Sequence, residues 1–421
     1  MSAQSTRALT LDQVVTGALR NNLDLRTAYF EVEKARGRLI QAGLWPNPEL
    51  EFSTTTDRTF KNEGDRASTA GFLQAFPISG RLHFAKQASR VDVAQAMAEI
   101  RNRERLLIGE VERDFLTVLL LRQQIKANHE FIGANREFVD VFEQRLKHAE
   151  VSEVDVNLAR VELQRLELDT IVLETDLRTR ELALKLQLGL PAEQSLAVEG
   201  DLGALTARFR PENYGLSMVV NRPDLRETEL EIDRANAEVR LARAEAWADW
   251  TLGADYQTDR RVDEPTGLRT DPSLGVRISI PLPLWNRNQG RVYEQKVTAS
   301  QARQRVEALT LSIRSEIATA LAQAFKLREV VRTYHRDLLP SLTRTTDLLH
   351  KGYGQGLVAP TQIIQAQQQR ATLLSSAVAA NTTYIQALIA LETATASSPF
   401  LQKDFLQPAL HGVSRKSSYR K

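Results

Sequence analysis

The stretch between Pro77 and Pro191 contains no proline, and this feature limits the possible fold more than any other. Proline removes a backbone donor and interrupts helices, so a long helix can run through this stretch. Apolar residues recur in it at spacings of three and four, or their sums, as in a coiled-coil seam. The seam continues after the turn HAEVSEV, which predicts two antiparallel helices. Its members are Val93, Met97, Ile100, Leu107, Val111, Val118, Leu121 and Ile125 before the turn and Val156, Ala159, Leu163, Leu166, Leu173, Leu177 and Leu184 after it.

The two halves of the chain follow the same plan. Residues 18–42 align without a gap with residues 218–242 at an offset of 200. Chance similarity between two helices is the alternative, but the same order of elements follows in both halves. The sequence therefore indicates a tandem duplication. The matched pairs include Asn21 with Asn221, Asp24 with Asp224, Leu25 with Leu225, Arg26 with Arg226 and Glu31 with Glu231.

Each half is predicted to contain a helix, a two-stranded hairpin, a very long helix and a last helix. Thr10 and Gln13 form a capping-box pattern, and Pro340 should kink the second long helix. A helix over 81–147 would be about 100 Å long at about 1.5 Å per residue. The first repeat, 1–200, has helices over 10–45, 81–147 and 154–188 and strands over 48–56 and 69–77. The second, 201–396, has helices over 213–247, 290–352 and 360–395 and strands over 249–258 and 273–281. Residues 397–421 form a C-terminal equatorial segment and tail.

The predicted strands alternate apolar with small or polar residues. Each run is about ten residues, the length that a tilted strand needs to cross the hydrocarbon core of a bilayer. A half-buried hairpin of a soluble protein would show the same alternation. On the membrane interpretation, the residues that face lipid are Leu252, Tyr256, Leu274, Val276 and Ile278.

The four tryptophans favour the membrane interpretation. All of them lie where a helix meets a strand, on the same side of both hairpins, whereas the loops on the far side are polar. An aromatic girdle at one membrane interface explains all four positions together. We therefore predict interfacial positions for Trp45, Trp247, Trp250 and Trp285.

Four strands cannot form a membrane structure alone. Unpaired backbone groups in hydrocarbon are too costly, so membrane strands close into a barrel. Four strands are too few even for an eight-stranded barrel, whose interior is filled by side chains. The chain must therefore oligomerise, and trimers with twelve strands would leave a water-filled lumen, whereas dimers with eight would not.

Composition excludes several classes of function. The 55 basic and 53 acidic residues are interspersed, so no basic face is available for nucleic acid. Cysteine is absent, which removes disulfides, thiolate metal sites and thiol nucleophiles. No run of 18 apolar residues occurs, and the N-terminus lacks the apolar core of a secretory signal. If the protein is exported, we expect its signal to be missing from this sequence.

The chain resembles the TolC family of outer-membrane efflux ducts over residues 9 to about 396. The resemblance is carried by LTLDQVVTGALRNNLDL near the start, by the repeat and by RISIPLPLWNRNQGRV at 277–292. Pro340, Tyr353, Gly356 and Ala366 on the final hairpin add to it. The segment IPLPLWNRNQG is similar to sequences of the cobalt-zinc-cadmium resistance (CzcC-like) branch of the family.

The resemblance implies the fold and the partners. The expected fold is mainly α with a small β part: a long antiparallel coiled-coil α-helical barrel plus four transmembrane β-strands per chain. The expected assembly is a homotrimer in the outer membrane of a Gram-negative bacterium, with the helices in the periplasm. Its expected partners are outer-membrane lipid, a periplasmic adaptor protein and an inner-membrane pump of the RND type.

The resemblance also implies functional positions at the two helix tips. A glycine turn that contacts the adaptor in the family maps here onto Ala149, Glu150, Val151 and Ser152 in the first hairpin and Gly356, Leu357 and Val358 in the second. Alanine replaces the usual glycine in the first tip. Polar residues that constrict the closed tunnel map onto Asp155, Gln362 and Gln365, for which solvated positions on an amphipathic hairpin are the alternative.

No pattern of residues indicates catalysis. The six histidines never occur at the i, i+4 spacing of a helical metal site, and no phosphate-binding glycine loop or nucleophile motif is present. His148 and His350 lie near the tips, where a favourable helix dipole explains them. We expect no enzyme activity, no cofactor and no metal ligands.

The favoured function is therefore a passive duct in a tripartite efflux system. The resemblance implies that the exported substrates are heavy-metal cations. A type I secretion or multidrug duct of the same family is an alternative. A soluble coiled-coil scaffold with small sheet caps is the alternative from a different class.

Overall fold

A computed structural model of the protein describes residues 8–57, 64–263, 267–355 and 357–401. This part of the chain is mainly α-helical and contains one four-stranded sheet, as the sequence predicts. The helices are α1 (Leu11–Asn21), α2 (Leu23–Ala42), α3 (Arg81–Lys147), α4 (Glu153–Gln187), α5 (Leu202–Ala207), α6 (Pro223–Ala244), α7 (Gln289–Thr333), α8 (Leu339–Gly354) and α9 (Pro360–Thr395). The strands are β1 (Glu49–Thr56), β2 (Arg66–Phe76), β3 (Trp250–Asp263) and β4 (Gly267–Ser279).

The strands are antiparallel and follow one another in the order β1-β2-β3-β4. Strands β2, β3 and β4 extend several residues into the loops that the sequence assigns to the far side of each hairpin. Polar residues such as Asp259 and Asp271 remain paired in the ladder, because backbone hydrogen bonding does not require an apolar face.

The chain divides into two compact units. The first unit takes in the chain up to Ala28, Ile100–Pro223 and the chain from Thr310 onward. The second unit comprises Tyr29–Glu99 and Asp224–Leu309 and contains the whole sheet. Each unit takes segments from both predicted repeats, so the repeats are not separate compact domains.

The prediction of one continuous helix over 10–45 is wrong, because the helix breaks at Asn22. The Asn22 backbone is extended, with φ −57° and ψ 123°. Its Oδ1 accepts a hydrogen bond from the Leu25 N–H at 2.8 Å, so Asn22 caps α2. Its Nδ2 donates to the Gln187 carbonyl oxygen at 3.1 Å. At the start of α1, the predicted capping contact is present, since the Thr10 N–H donates to Gln13 Oε1 at 3.1 Å.

The predicted helix over 213–247 is also shorter than expected. Residues Leu216–Asn221 form a 3-10 helix, and α6 begins only at Pro223. Arg222 between them is extended, with φ −73° and ψ 123°. The pyrrolidine ring of a following proline disfavours the α conformation, which explains why the helix cannot pass through Arg222.

The second long helix is interrupted before Pro340. Residues Tyr334–Leu338 form a π-helical turn between α7 and α8. Proline lacks an N–H and its ring crowds the carbonyl four residues earlier, which here belongs to Arg336. A π-helical turn at that point relieves both problems. The predicted helix over 290–352 is therefore two α-helices joined by this turn.

Helix α9 supplies much of the core of the first unit. Ile385, Leu388, Ile389 and Leu391 are fully buried. By length and composition, Thr361–Thr395 is the one helix in the described part of the chain that is apolar enough to cross a membrane. Core helices of soluble domains meet the same criterion.

Candidate functional site

The sheet has one register throughout. Phe52 pairs with Ala70, Ala70 with Tyr256, and Tyr256 with Leu274, and none of the paired residues of the three ladders departs from this alignment. Side chains of paired residues point to the same face, and alternate residues along a strand share a face. Every even-numbered strand residue therefore lies on one face and every odd-numbered residue on the other.

The even-numbered face carries an exposed apolar band. All five residues that the sequence predicts to face lipid lie on it, and Leu274 is 79% exposed. Residues of β1 and β2 complete the band, and these residues were not predicted from the sequence. The band comprises Leu50, Phe52, Ala70, Phe72, Leu252, Ala254, Tyr256, Leu274, Val276 and Ile278.

The odd-numbered face is polar. One row of paired residues joins Glu51, Gly71, Asp255 and Gly275. A side chain at Gly275 would approach Asp255 Oδ2 to 2.7 Å, so glycine leaves room there for the carboxylate. Arg277 Nη2 lies 4.0 Å from Asp255 Oδ1. This face presents charged groups to water, in contrast to the band behind it.

Each of the four tryptophans lies at a strand end or in a segment that joins a helix to the sheet. Trp45 packs edge-on against Phe76, with ring centroids 5.9 Å apart, and Phe76 pairs with Trp250 across β2 and β3. Trp285 is 86% exposed. Asp249 anchors the start of β3, because it accepts two hydrogen bonds from Arg81 at the start of α3, one from Nε at 2.7 Å.

The first helix tip is a Schellman turn. The Glu150 N–H donates to the Arg145 carbonyl at 3.0 Å, and the Ala149 N–H donates to the Leu146 carbonyl at 2.9 Å. Ala149 has φ 56°, which is the left-handed region that glycine normally occupies at this position. The turn therefore forms without the glycine of the family, at the cost of strain at Ala149.

Asp155, the predicted constriction residue of the first hairpin, caps helix α4. The Asp155 N–H donates to Ser152 Oγ at 3.1 Å, and the Ser152 N–H donates to Asp155 Oδ2 at 3.2 Å. These reciprocal bonds make a capping box. The carboxylate therefore has a structural role in this chain.

The second tip shares the hydrogen bond that defines the first. The Leu357 N–H donates to the Gly352 carbonyl at 2.9 Å, with the same spacing as Glu150 and Arg145. A Cβ at Gly352 would approach Val358 Cγ2 to 2.6 Å, so any larger residue there would force the valine side chain to shift. Leu357 is 77% exposed. Gly356 and the side chain of His350 lie outside what the structure describes.

The two tips share one small core. Its buried members are Val139, Phe142, Val151, Val156, Ala159 and Ile364. Tyr353 packs against this core, with its ring centroid 6.0 Å from that of Phe142 and 4.6 Å from the guanidinium carbon of Arg145. Gln362 and Gln365, the predicted constriction residues of the second hairpin, are exposed.

A buried charge cluster lies elsewhere in the first unit. Arg208 Nη2 bonds to Glu112 and lies 3.8 Å from Glu392 Oε2, and both glutamates are buried. Burial and then the neighbouring Glu392 raise the pKa of Glu112 to about 8, an effect that Arg208 opposes. Burial also raises the pKa of Glu392, and it raises that of Tyr214 to about 12. Two carboxylates share one guanidinium here, which favours a proton on one of them.

These sites offer charge and shape rather than a catalytic centre. Within the described ranges, no three His, Asp or Glu side chains converge to hold a metal ion. His148 lies in the first tip, where its backbone N–H donates to the Arg145 carbonyl at 3.1 Å.

Known proteins resemble this chain over most of its length. The cobalt-zinc-cadmium resistance protein CzcC of Cupriavidus metallidurans is 25% identical, over 86% of this chain and 83% of that protein. The cation efflux system protein CusC of Escherichia coli K12 is 24% identical, over 86% and 81%. A crystal structure of CusC superposes with a TM-score of 0.77 at 21% identity and covers 93% of this chain and 92% of that chain.

The family model described as "Outer membrane efflux protein" matches residues 14–190 and again residues 217–397. These matches cover most of the chain and both of its halves. The chain therefore belongs to the outer membrane efflux protein family, the TolC family, and it is an outer-membrane efflux channel and not an enzyme.

Proposed function

We propose that this chain is one subunit of a homotrimeric duct that exports heavy-metal cations. In this proposal, an RND-type pump in the inner membrane and a periplasmic adaptor deliver the cargo. Membership of the family implies a trimeric channel with adaptor and pump partners. We add that the pump is of the RND type and that the cargo is heavy-metal cations. The observation that carries the proposal is the sheet with one exposed apolar face and one polar face.

The open sheet supports assembly into a barrel. The outer edges of β1 and β4 have no neighbouring strand in the described residues of one chain. Unpaired backbone groups are costly in hydrocarbon. Three chains that pair β4 of one subunit with β1 of the next would close a twelve-stranded barrel, with the apolar band toward lipid and the polar face toward the lumen.

The positions of aromatic residues support the same orientation. Trp45, Trp247, Trp250 and Trp285 would lie at the periplasmic interface, where tryptophan is enriched. Leu252, Tyr256, Leu274, Val276 and Ile278 would contact acyl chains. The lumen would then present Glu51 and Asp255, and carboxylates that line a pore favour cations over anions.

The cargo is proposed from the relatives together with the polar face. Two of the relatives are named for cobalt, zinc and cadmium or for cations. A duct needs no tight metal site, because conduction requires weak and repeated contacts. The chain would therefore leave selection of the metal to its pump and adaptor.

The helix tips are the proposed docking surface for the adaptor. Ala149, Glu150, Val151, Ser152, Leu357 and Val358 lie in the two turns, and we place Gly356 with them from the resemblance. Asp155, Gln362 and Gln365 would narrow the entrance just beyond. In both tips the N–H of residue i+5 donates to the carbonyl of residue i. This equivalence also supports the proposed tandem repeat, with boundaries at 1–200 and 201–396.

Deletion and complementation in the native host test this proposal. Loss of the gene should lower resistance to Zn²⁺, Co²⁺ and Cd²⁺, and wild-type protein in the outer-membrane fraction should restore it.

Leu357→Asp should reach the membrane as a trimer but fail to restore resistance, whereas the matched Leu357→Met should restore it. Unchanged metal resistance with a lost resistance to dyes or antibiotics would refute the cargo. A protein that purifies from the cytosol without detergent would refute the duct itself.

A further inference from the structure

The outer edge of β1 presents the N–H groups of its even-numbered residues. The Asp57 N–H donates to the Asp65 carbonyl oxygen at 3.2 Å, one step beyond the last pair of the β1–β2 ladder, Thr56 with Arg66. Along a strand, the N–H groups of successive residues point alternately to the two neighbouring strands. The odd-numbered N–H groups of β1 therefore point toward β2, and the even-numbered ones point away from it.

The outer edge of β4 has the same parity. In an antiparallel sheet, a residue that is hydrogen-bonded to its partner on one side faces a non-bonded partner on the other side. Even-numbered pairs are therefore non-bonded between β1 and β2, bonded between β2 and β3, and non-bonded between β3 and β4. Pro272 agrees with this order, because it pairs with Thr258 at an even position, where no N–H toward β3 is needed.

A proline limits each of the two edges. Pro48 directly precedes β1, and Pro272 lies within β4. Both are even-numbered, so the N–H that each lacks would belong to the outer edge. At the other end of β4, Ile280 directly precedes Pro281, which favours an extended backbone at Ile280. Four donors remain on each edge: Leu50, Phe52, Thr54 and Thr56 on β1, and Leu274, Val276, Ile278 and Ile280 at β4.

We propose that β4 of one subunit pairs with β1 of the next in the register that places Phe52 opposite Ile278. The inference rests on the proposed function, because it requires the two edges to meet in a closed barrel. This register matches the four donors of one edge with the four of the other, and Pro48 and Pro272 then lie just outside the paired segment. The other even-numbered pairs are Leu50 with Ile280, Thr54 with Val276 and Thr56 with Leu274.

Other registers pair the edges less completely. A shift by one residue would place apolar side chains of one strand beside polar ones of the next. A shift by two residues in one direction would set Pro272 opposite Thr56 and Pro48 opposite Ile280, and both pairs would lose a donor. A shift by two in the other direction would leave Leu274 beyond the end of β1.

Barrel geometry supports the same register. The row Phe52, Ala70, Tyr256 and Leu274 would continue to Thr56 of the next subunit, so each chain would advance the row by four residues. An advance of about twelve residues of about 3.3 Å each, around twelve strands spaced about 4.8 Å apart, gives a strand tilt of about 35°. Membrane barrels have tilts of about 35 to 45°. The shift that brings Pro272 opposite Thr56 would give only about 19°.

Disulfide cross-linking in the cysteine-free chain tests the register. Directly opposite Cα atoms of a bonded pair lie about 5.5 Å apart, within the range of a disulfide, whereas a residue two positions along the partner strand lies about 8 to 9 Å away. Phe52→Cys/Ile278→Cys trimers in outer-membrane fractions are oxidised with copper phenanthroline and analysed on denaturing gels. The chain should shift from monomer to covalent trimer and return to monomer on reduction.

Two matched variants keep one cysteine and move the other by two residues. Phe52→Cys/Val276→Cys and Phe52→Cys/Ile280→Cys should stay monomeric on the denaturing gel. Thr54→Cys/Val276→Cys should give the covalent trimer, which shows that the substituted Val276 position can react and tests the register at a second pair. A gel run without denaturation checks that each variant is a trimer before oxidation.

The possible contrary results separate the register from the duct. Cross-linking of the Phe52 position to the Val276 or Ile280 position in place of Ile278 would overturn the register and leave the proposed duct standing. Membrane trimers that cross-link in none of the four variants would overturn the pairing of β4 with β1. Absence of wild-type trimers from the outer-membrane fraction would refute the proposed duct as well.

Discussion

Arg105 Nη1 donates a hydrogen bond to the Thr393 carbonyl oxygen at 2.8 Å, and this contact joins α3 to the last turn of α9. The last carbonyls of a helix have no partner within the helix. Arg222 Nη1 donates to the next carbonyl, that of Ala394, at 3.1 Å. Both arginines are buried, so the C-terminus of α9 is capped by cations from two other segments of the same unit.

We predict that Arg105→Met destabilises the protein. The change leaves a buried carbonyl without this donor, and loss of such a charged hydrogen bond costs about 1 to 3 kcal/mol. The free energy of unfolding or the melting temperature of purified trimers measures it. Arg314→Met, at an exposed position on α7, should change either quantity little. Equal effects of the two substitutions would contradict the capping role.

Stability should fall as pH rises because of Glu112. Its pKa is raised in the fold to about 8 from an ordinary value of 4.5, so the folded protein binds this proton more tightly than the unfolded chain. The stabilising contribution is complete below pH 4.5 and is lost as pH rises from there to about 8. Glu112→Gln should flatten this part of a melting-temperature profile and match or exceed wild type at pH 8.5. Glu110→Gln, an exposed neighbour, should leave the profile unchanged.

Leu252→Arg/Val276→Arg should prevent membrane assembly. Each substitution places a charge within the apolar band, at a cost of about 2 to 4 kcal/mol near the midplane. The measurement is the yield of trimer in the outer-membrane fraction. Gln257→Arg/Ser273→Arg adds the same charges to a directly paired position on the polar face, and its yield should stay near that of wild type. Normal assembly of the first variant would refute the assigned faces.

Ala149→Gly should stabilise the first helix tip. Ala149 has a left-handed backbone, which costs an L-residue with a Cβ about 1 kcal/mol relative to glycine. Ala134→Gly, an exposed position inside α3, should have the opposite effect by about 1 kcal/mol. Thermal unfolding of the two variants gives the signs. Destabilisation by both substitutions would mean that the strain relieved at Ala149 is worth less free energy than the conformational entropy that the added glycine loses on folding.

Sequence periodicity predicts the fold well where one period persists. The helix over 81–147 is present as α3 because its apolar spacing and its freedom from proline act along the whole length. The faces of the second hairpin follow from strict alternation, which a register without bulges preserves. Breaks are harder to predict, since Asn22 ends α1 through a bond to the distant Gln187 carbonyl.

The candidate sites divide in the same way. The alternation in ELEFSTTT contains the signal for Leu50 and Phe52, but their place in the band depends on the pairing of β1 with β2. The contacts of Arg208 with Glu112 and Glu392 join residues far apart in the chain, and local patterns carry no information about them. Asp155 has a local signal, because Ser152 stands three residues before it and makes a capping box.

The uninterrupted alignment of the four strands restricts how this protein can change in length. Insertion of one residue inside any strand would exchange inward and outward side chains from that point to the strand end. In the proposed barrel, apolar side chains would then face the lumen and carboxylates would face acyl chains. Natural or engineered insertions should therefore be tolerated in the hairpin turns, or within strands in even numbers, and this parity rule can be tested by scanning insertions.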